Sequence, residues 1–457
     1  MTSRVFLTDT FRGSKVPFEP ANPSLVTVYC CGPTVYSEPH IGNARAGVVA
    51  DQTVRLLREV YGHNHVRYAR NLTDVDDKII KGAADEGVEI SVITARATKA
   101  YHDDLAALGC LPPDFEPKAT EHIGPMQAMI STLMDRGFAY AAEGHVLFDT
   151  QAYQDYGGLS RLDRDAMVAG ARVEVAPYKR DPADFVLWKP STDDMPGWDV
   201  PSHWGLSERG RPGWHIECSA MIDAVLGSPI DLHLGGQDLR FPHHENEIAQ
   251  SCCASDLGGV PLARYWMHNG MLRMGAEKMS KSIGNIVRPS ELLTDWHGEV
   301  LRMALLSAQY RQPLEWSDDL LAASKAQLDK FYRAAGDAEP SAVAGSVLAA
   351  LADDLNTPAA FAALHELREA AQGGSADAAS SLRASGQLLG LLQETEEAWF
   401  QGGGSGDDAA RFDALLVERA EARKAKNFAR ADEIRDQLTA EGIVIEDGPD
   451  GATWRRS

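Results

Sequence analysis

The 457-residue sequence has no apolar run long enough to cross a membrane as a helix. Its opening segment, MTSRVFLTDTFRG, also lacks the apolar core that a secretory signal requires. The hydrophobic fraction of 44% and the charged fraction of 24% are ordinary for globular proteins, and the length suggests roughly two to four domains. We therefore expect a cytoplasmic protein with several buried cores.

Cysteine is scarce, and basic residues are fewer than acidic ones. Six cysteines in a chain of this length do not make a disulfide framework, so we expect reduced thiols or a metal site. With 44 Lys and Arg against 66 Asp and Glu, the formal net charge is −22. Attraction of nucleic acid by bulk charge is therefore disfavoured, although a local basic patch can still bind RNA with a modest, salt-sensitive affinity.

The first third of the chain alternates predicted strands and helices. An apolar run ending at Cys31 predicts one strand, and residues 65–74 predict another, each followed by a helical pattern. This alternation indicates an α/β fold with a Rossmann-like, doubly wound parallel sheet, whose ligands bind at the carboxyl ends of the strands. The pattern becomes irregular between about 115 and 205, which we interpret as an inserted subdomain. The sheet is expected to resume with strands in 213–221, 231–239 and 265–274.

The remainder of the chain is helical and rich in Ala and Leu. Glycine-rich breaks near 373–374 and at 401–406 separate its helices, and the second break predicts a flexible linker. The predicted domains are a catalytic α/β domain over 1–315, an α-helical bundle over 316–400 and a small C-terminal α/β unit over 407–457. That last unit should contain one charged helix, from about 407 to 442, and a short hairpin.

Two segments carry the features of a nucleotide site. In the first, a strand leads through a glycine-containing turn into a helix at HIGN (40–43), so that free N–H groups and the helix dipole can bind phosphate. The second is the loop KMSKS (278–282) between Gly275 and Gly284, where two lysines suit a polyphosphate whose charge shifts during reaction. In this order the two segments resemble the HIGH and KMSKS motifs of class I aminoacyl-tRNA synthetases.

Four side chains form a plausible metal site. Cys31 lies at the end of the first strand, and His243 and Glu247 are four residues apart, so one helical turn would put both on the same face. Together with Cys218 they would supply thiolate, imidazole and carboxylate ligands, all of which zinc accepts. The chain has no Cys-x-x-Cys pair, however, so spacing alone favours buried thiols and a solvated helix face over a metal site.

Longer segments extend the resemblance to the cysteinyl-tRNA synthetase family. They lie within roughly the first 320 residues and comprise CGPTVY, NLTDVDDKI, RPGWHIECSAM, DLHLGGQDLRFPHHENEIAQ and EKMSKSIGN. In that family zinc is bound by the Cys before Gly in the first segment, the Cys of HIEC, and the first His and last Glu of HHENE. The resemblance therefore implies one zinc ion bound by Cys31, Cys218, His243 and Glu247.

Other cysteines and histidines near these motifs have simpler interpretations. Cys30 should point to the opposite face of its strand and should not bind the metal. His244 is a possible replacement ligand. We interpret Cys110, Cys252 and Cys253 as core or surface residues.

A zinc ion would select the substrate. Shape alone separates cysteine from serine poorly, whereas zinc binds a thiolate strongly and a hydroxyl weakly. A site keyed to one group can reject its analogue by about 10⁴–10⁵ without editing, and the sequence shows no hydrolytic editing module. The resemblance implies two steps: ATP, accompanied by Mg²⁺, activates L-cysteine to cysteinyl-adenylate, and the 3′ end of tRNA(Cys) then displaces AMP. We expect a monomer that works by positioning and charge stabilisation, without an enzyme nucleophile.

The resemblance also assigns residues to the substrates. His40, with Asn43 beside it, should meet the phosphates of ATP, as should Lys281 and secondarily Lys278. Asn43 departs from the last histidine of HIGH, and its amide donates hydrogen bonds but carries no charge, so its contribution to the rate is left open. Gly32, Thr73, Trp214 and Asp238 lie in motif positions that resemble amino-acid or adenylate contacts. A turn, a helix cap, a core aromatic and a loop cap explain these four equally well.

The C-terminal end carries a candidate RNA surface. Trp454 would stack on an unpaired anticodon base while basic side chains contact phosphates. From charge alone, a solvated, salt-bridged helix is the simpler interpretation because acidic residues are interleaved. ARADEIRDQL and GATW nevertheless resemble the end of cysteinyl-tRNA synthetases, which favours anticodon recognition. The basic residues are Arg419, Arg423, Lys424, Lys426, Arg430 and Arg435.

Two other functions share some of these features. A cysteine ligase of the mycothiol pathway has the same zinc, HIGH and KMSKS elements but transfers activated cysteine to an amino sugar, and that family lacks a full anticodon-binding end. A synthetase-like RNA-binding protein without catalysis is disfavoured by the presence of His40, Lys278, Lys281 and a complete metal set.

Overall fold

The computed structural model describes residues 4–163, 166–167, 176–274, 277–278, 286–401, 406–448 and 451–456. The chain forms two compact units, one of residues 1–321 and 345–361 and the other of residues 322–344 and 362–457. None of the helices in the described ranges combines the length and the apolar character that a membrane span needs.

Short strands and longer helices alternate through the first unit. Its strands are β1 (Phe6–Asp9), β2 (Ser14–Pro17), β3 (Val26–Cys30), β4 (Val66–Arg70), β5 (Ala139–Ala142), β6 (His145–Phe148), β7 (Phe185–Pro190), β8 (Gly210–Pro212), β9 (Ile230–Gly236), β10 (Ala263–Asn269), β11 (Leu272–Met274), β12 (Glu277–Lys278) and β13 (Leu314–Glu315). Its α-helices are Ile41–Tyr61, Asp77–Glu86, Ile90–Ala107, Ile123–Asp135, Trp214–Leu226, Glu245–Ala254, Pro289–Leu292, Gly298–Leu306 and Gly345–Ala352. Single turns of 3₁₀ helix lie at His63–His65, Ala119–Glu121 and Ser202–Trp204, and a π-helical turn lies at Arg240–His244.

The central sheet confirms the predicted Rossmann-like parallel fold. Its strand order is β10-β9-β3-β4, and all three pairings are parallel. From β3 the chain moves to β4 on one side, and it later returns to the other side of β3 with β9 and β10. The carboxyl ends of β3 and β9 therefore flank a topological switch point, which is where open α/β sheets bind their ligands.

The segment between β4 and β9 contributes an antiparallel layer. Strands β5, β6, β7 and β8 pair in that order, each antiparallel to the next. Phe148, Trp188 and Trp204 are at most 2% exposed and share one hydrophobic core with Ile216 and Ala249. The layer thus packs on the helices that follow β8 and precede β10, close to the switch point.

Residues 213–221 were expected to be a strand, and this prediction was wrong because they belong to helix Trp214–Leu226. Polar and apolar residues alternate here, which indicates a half-buried strand only when the polar side chains face water. Glu217 and Ser219 instead are 1% and 0% exposed, and each is hydrogen-bonded to a buried polar neighbour. The alternating polar residues of this segment therefore belong to a buried hydrogen-bond network and do not face solvent.

The single strand expected over 265–274 is also corrected, because the chain forms β10 and β11 with a break at Gly270. A Cβ on Gly270 would lie 2.6 Å from the carbonyl oxygens of Arg311 and Gln312, so the glycine permits a close backbone crossing. The strands expected near 25–31, 65–74 and 231–239 are confirmed as β3, β4 and β9.

The second unit is helical and ends in a hairpin. Helices Asp318–Ala335 and Thr357–Gln372 have residues in both units, and the break near 373–374 is confirmed as the end of the latter. The other helices are Ala376–Leu388, Glu396–Gln401, Gly406–Lys424 and Phe428–Ala440, followed by antiparallel β14 (Ile443–Gly448) and β15 (Gly451–Arg456).

Two expectations for this last segment are corrected. The single helix predicted over about 407–442 is two helices, because the side chain of Asn427 accepts a hydrogen bond from the Arg430 N–H and caps a new helix. Trp454 is not available to stack on a base, since it is 4% exposed, packs on Phe412 and donates to Asp413 at 2.8 Å. The indole therefore belongs to the core of this unit.

Most of the basic residues named for RNA contact are in salt bridges. Arg419 and Arg423 both pair with Asp447, which lies in strand β14 and not among the acidic residues interleaved in the helices. Arg430 and Arg435 pair with acidic residues of the helices themselves.

A buried ion pair ties helix Ile41–Tyr61 to helix Gly298–Leu306. The side chains of Asp51 and Arg302 are 2% and 0% exposed, and their carboxylate and guanidinium are in contact. Asp51 also accepts hydrogen bonds from the Leu111 N–H at 2.7 Å and from Arg55 at 2.8 Å. Each buried charge therefore has the partners that burial requires.

Asp51→Ala should destabilise the first unit by about 3–5 kcal/mol, because it leaves the Arg302 guanidinium buried without a counter-charge. Urea unfolding followed by tryptophan fluorescence measures the change. Asp103→Ala, which breaks the exposed pair of Lys99 and Asp103, is the matched control and should leave the midpoint nearly unchanged. Equal midpoints for the two variants would contradict a structural role for the buried pair.

Candidate active site

A cavity of about 570 Å³ lies at the switch point between β3 and β9. Its walls come from the residues after β3, the start of helix Ile41–Tyr61, the residues after β9 and those after β10. The structure brings six of the predicted site residues together on these walls: Cys31, Gly32, His40, Asn43, Trp214 and Asp238.

His40 and Asn43 form a reciprocal capping box at the start of helix Ile41–Tyr61. The Asn43 N–H donates to His40 Nδ1 at 3.2 Å, and the His40 N–H donates to Asn43 Oδ1 at 3.0 Å. Asn43 is thus more than an uncharged replacement for histidine, because its side-chain oxygen holds the main chain of His40 while its own main-chain N–H donates to the imidazole. The sequence signal for this pairing is an N-cap residue followed three residues later by a side-chain amide.

Arg45, which none of the sequence motifs singled out, fixes another wall of the cavity. Its side chain is 1% exposed, and burial lowers the pKa of its guanidinium to about 10, which leaves it charged at neutral pH. Its terminal nitrogens donate hydrogen bonds of 2.7–3.4 Å to four main-chain carbonyls, those of Gly270, Met271, Tyr310 and Gln312. Arg45 therefore ties the helix of the first motif to the start of β11.

Four buried donor groups meet at the carboxyl end of β3. The sulfur of Cys31 lies 3.7 Å from that of Cys218 and 3.5 Å from Glu247 Oε1. His243 Nε2 lies 2.9 Å from the same carboxylate oxygen. Donor atoms of all four residues lie within 4.8 Å of one another. The predicted ligand set is therefore assembled, and its donors can bind a metal ion.

Three residues next to the cluster differ in whether they can contribute a donor atom. Cys30 lies outside this group, and its thiol contacts the Cys31 carbonyl at 3.6 Å. His244 belongs to a second donor set with Cys31, Glu247 and His233. His233 was missed because it lies inside the buried strand β9, where its Nε2 is 2.8 Å from Glu247 Oε2.

Mutual contacts shift the pKa values of these buried groups. A hydrogen bond from Cys31 lowers the pKa of Cys218 to about 6 although burial opposes ionisation, so one thiolate is favoured. Burial alone would lower the pKa of His243, but the Glu247 carboxylate and Cys218 beside it raise that pKa to about 10. The pKa of Glu247 is held well below its usual value by His233 and His243 despite burial. The cluster therefore places a positively charged imidazole beside a thiolate and a carboxylate, and their donor atoms are close enough to bind a single ion.

Two aromatic side chains hold the imidazole of His243. The Trp214 ring stacks on it with centroids 4.3 Å apart and planes inclined by 23°. His215 Nδ1 lies 3.0 Å from His243 Nδ1, on the ring edge away from Glu247. Trp214 is 36% exposed, so its interpretation as a core aromatic is wrong, and it joins the donor cluster to the cavity wall.

The other predicted contacts have distinct environments. A Cβ on Gly32 would lie 1.7 Å from the Asn71 carbonyl oxygen, so only glycine fits where the chain leaves β3. Asp238 is exposed on the cavity wall. Thr73 is buried and donates to the Glu217 carboxylate at 3.0 Å. It does not cap the next helix, since the N-cap is Asp76.

Only the first lysine of the second motif lies within the described residues. The main chain of Lys278 pairs with Arg273 in the short hairpin of β11 and β12. Lys281 lies outside the described residues, together with the motif residues on either side of it. The roles of both lysines therefore rest on the sequence.

Comparison with known proteins covers nearly the whole chain. Residues 17–326 match the profile of the tRNA synthetases class I (C) catalytic domain. Residues 346–393 match the DALR domain, and residues 406–455 match the cysteinyl-tRNA ligase anticodon binding domain.

Curated relatives are similar along their full length. A cysteine–tRNA ligase of Parvibaculum lavamentivorans is 55% identical, with 99% of this chain and 98% of the relative covered. One from a Caulobacter species is 56% identical, with 100% and 99% covered. These matches, and the anticodon-binding profile, disfavour the amino-sugar ligase and the non-catalytic protein.

Solved structures share the fold at lower identity. Methionyl-tRNA synthetase of Mycobacterium tuberculosis in complex with methionyl-adenylate has a TM-score of 0.55 at 18% identity, covering 82% of this chain and 93% of its own. The LeuRS of Agrobacterium radiobacter, in a ternary complex, has a TM-score of 0.58 at 13% identity, with 84% and 85% covered. By its sequence matches and its fold, the chain belongs to the cysteine–tRNA ligase family of class I tRNA synthetases.

Proposed function

We propose that this chain activates L-cysteine with ATP and transfers it to the 3′ end of tRNA(Cys) in the cytoplasm. The observation that carries the proposal is the position of the donor cluster, whose Cys31 lines the same cavity as the capped helix start at His40. A thiol-binding group then lies beside a phosphate-binding helix start, which is what joining cysteine to ATP requires.

Donor spacing supports zinc as the ion. Around a tetrahedral centre with bonds of about 2.3 Å to sulfur and 2.0 Å to oxygen, two sulfurs would be about 3.8 Å apart and a sulfur and an oxygen about 3.5 Å apart. The corresponding distances are 3.7 Å between the Cys31 and Cys218 sulfurs and 3.5 Å between Cys31 and Glu247. The 2.9 Å between His243 and Glu247 is shorter than the ~3.3 Å expected for that pair, so these two groups would separate slightly.

The set containing both sulfurs is the better ligand set of the two. Two thiolates favour zinc over Mg²⁺ or Ca²⁺, which prefer oxygen ligands. His233 then serves as the hydrogen-bond partner of the second Glu247 oxygen, and such partners orient metal-binding carboxylates. His215 and Trp214 would hold His243 in the same way. When bound, zinc would coordinate the substrate thiolate and discriminate against the serine hydroxyl.

The remaining residues would position ATP. His40 and the positive end of its helix dipole would bind phosphate, with the Asn43 side chain holding the main chain of His40 and the Asn43 N–H orienting the imidazole. Lys281 and Lys278 would stabilise the β- and γ-phosphates as charge moves to pyrophosphate, and Mg²⁺ would accompany ATP. The cysteine carboxylate attacks the α-phosphate, and the terminal tRNA hydroxyl then displaces AMP, so positioning supplies the catalysis.

The unit of residues 406–455 would recognise the anticodon. Since Trp454 is buried and several arginines are paired, stacking by that indole is not part of the proposal. Lys424 and Lys426 are exposed, and neither has a salt bridge in the described part of the chain. They are the candidates for contact with RNA phosphates.

Pyrophosphate exchange tests the function directly. Cysteine, but not serine, should support exchange of pyrophosphate into ATP, and the protein should contain about one zinc ion per chain. Labelled cysteine should then charge tRNA and not glucosaminyl-inositol. Charging of the sugar alone, or no cysteine-dependent exchange by zinc-replete protein, would contradict the proposal.

Cys218→Ser should raise the Kd for cysteine by about 100-fold or more while leaving the Kd for ATP within about threefold, because the variant loses a ligand of the thiol-binding ion. Calorimetry measures both constants, and metal analysis should show loss of zinc. Cys252→Ser is the matched control, since that thiol lies outside both donor sets. Equal loss of cysteine and ATP binding would mean that Cys218 serves folding.

Lys281→Ala should slow adenylate formation by about 100- to 1000-fold, as expected for removal of one donor that stabilises developing charge. Single-turnover formation of cysteinyl-adenylate is the measurement. Lys99→Ala, at an exposed lysine paired with Asp103, should leave the rate unchanged. An unaltered rate in Lys281→Ala would remove this lysine from the site.

A further inference from the structure

One motif segment is not used by the mechanism above. NLTDVDDKI (71–79) runs from the end of β4 into helix Asp77–Glu86, and it brings Lys78 to the wall of the same cavity that holds His40 and Trp214. The side chain of Lys78 is exposed.

Main-chain pairing fixes the position of Lys78. The Val35 N–H donates to the Thr73 carbonyl at 3.0 Å, and the Thr73 N–H donates to the Pro33 carbonyl at 3.2 Å, so the two loops run side by side. The Asp76 side chain then accepts from the Lys78 N–H at 2.8 Å and begins the helix. The Nζ atom of Lys78 lies 5.0 Å from the centroid of the Tyr36 ring, and Tyr36 also lines the cavity.

The charge of Lys78 has no acidic partner in the described part of the chain. No carboxylate oxygen of a described residue lies within 4.0 Å of its Nζ, and the adjacent Asp77 is paired with Lys189 at 2.7 Å and Arg211 at 3.0 Å. Arg45, the other long basic side chain among the described lining residues, already donates to main-chain carbonyls. Lys78 is therefore the lining cation whose head group is available to a ligand.

We propose that Lys78 binds a phosphate group of a substrate in this cavity. The inference rests on the proposed function, which brings two such groups here: the α-phosphate of ATP and the phosphodiester that precedes the terminal adenosine of the tRNA. A lysine ammonium is a compact charge with three donors on a flexible stem, which suits a phosphate oxygen in either substrate. The cation–π contact of its Nζ with the Tyr36 ring places the ammonium at this wall, where its N–H donors can still reach a phosphate oxygen.

The test compares Lys78→Met with Lys81→Met. Lys81 lies one turn later on the same helix but is paired with Asp85 and does not line this cavity. Methionine keeps an unbranched side chain of similar length without the charge, and Lys78→Arg restores the charge. One arm measures the Kd for ATP by calorimetry and the KM for ATP in pyrophosphate exchange, and the other measures single-turnover transfer from preformed cysteinyl-adenylate to tRNA.

Lys78→Met should weaken either ATP binding or transfer to tRNA by about 10- to 100-fold, as expected for loss of a charge-assisted hydrogen bond. Lys78→Arg should recover most of the lost binding or transfer. A change in the ATP arm identifies the α-phosphate. A change in the transfer arm identifies the RNA phosphodiester, and there the slope of log affinity against log salt should fall by about 0.7. Lys81→Met should stay within about twofold of the unmodified protein in both arms.

Equal behaviour of Lys78→Met and Lys81→Met in both arms would overturn the inference. So would a loss that Lys78→Arg does not recover, because it would show a packing role for the stem. Failure of the proposed function has a different signature, namely no cysteine-dependent exchange by the unmodified protein. The calorimetric ATP arm still tests Lys78 in that case.

Discussion

The rest of the site depends on the contacts that the completely buried carboxylate of Glu247 makes with its neighbours. Its two oxygens meet His243 and His233 at 2.9 and 2.8 Å, and Cys31 lies 3.5 Å from the first. An unpartnered carboxylate at this depth would cost several kcal/mol. Helix Glu245–Ala254 can therefore occupy its place only when β9, the turn before the helix and the end of β3 are all in position.

Sheet topology supplies those partners together. The parallel pairing of β3 with β9 puts the Cys31 N–H 3.2 Å from the Leu234 carbonyl, just where both strands end. Helix Ile41–Tyr61 leaves from the same edge with its capped start on the cavity. The donor cluster and the capped helix start are thus built from neighbouring parts of one sheet edge.

Sequence reasoning succeeded where a single rule governs the structure. Buried parallel strands appear as apolar runs, so β3, β4 and β9 were predictable, and the family motifs pointed to the four residues that cluster at the end of β3. It failed where a buried partner changes the meaning of a residue. Glu217 and Ser219 are hydrogen-bonded inside the protein, so their alternation with apolar residues indicated a strand although the segment is a helix. Trp454 lies near the C-terminus, where an exposed side chain was expected, but its hydrogen bond to Asp413 belongs to a buried core. Arg45 acts through a carbonyl 225 positions away and His233 through Glu247 on the α-helix that follows its own strand, and neither pairing follows a local sequence pattern.

The antiparallel layer between β4 and β9 has a consequence for when the donor cluster can form during folding. The two cysteine sulfurs meet across a separation of 187 positions in the chain, and the layer occupies much of that span. Contacts at such separation form late, because the entropy of closing the loop must be overcome before any contact rewards it. Binding of a metal ion by this cluster would therefore follow assembly of both halves of the sheet and would not nucleate it, unlike in small zinc domains that fold around their ion.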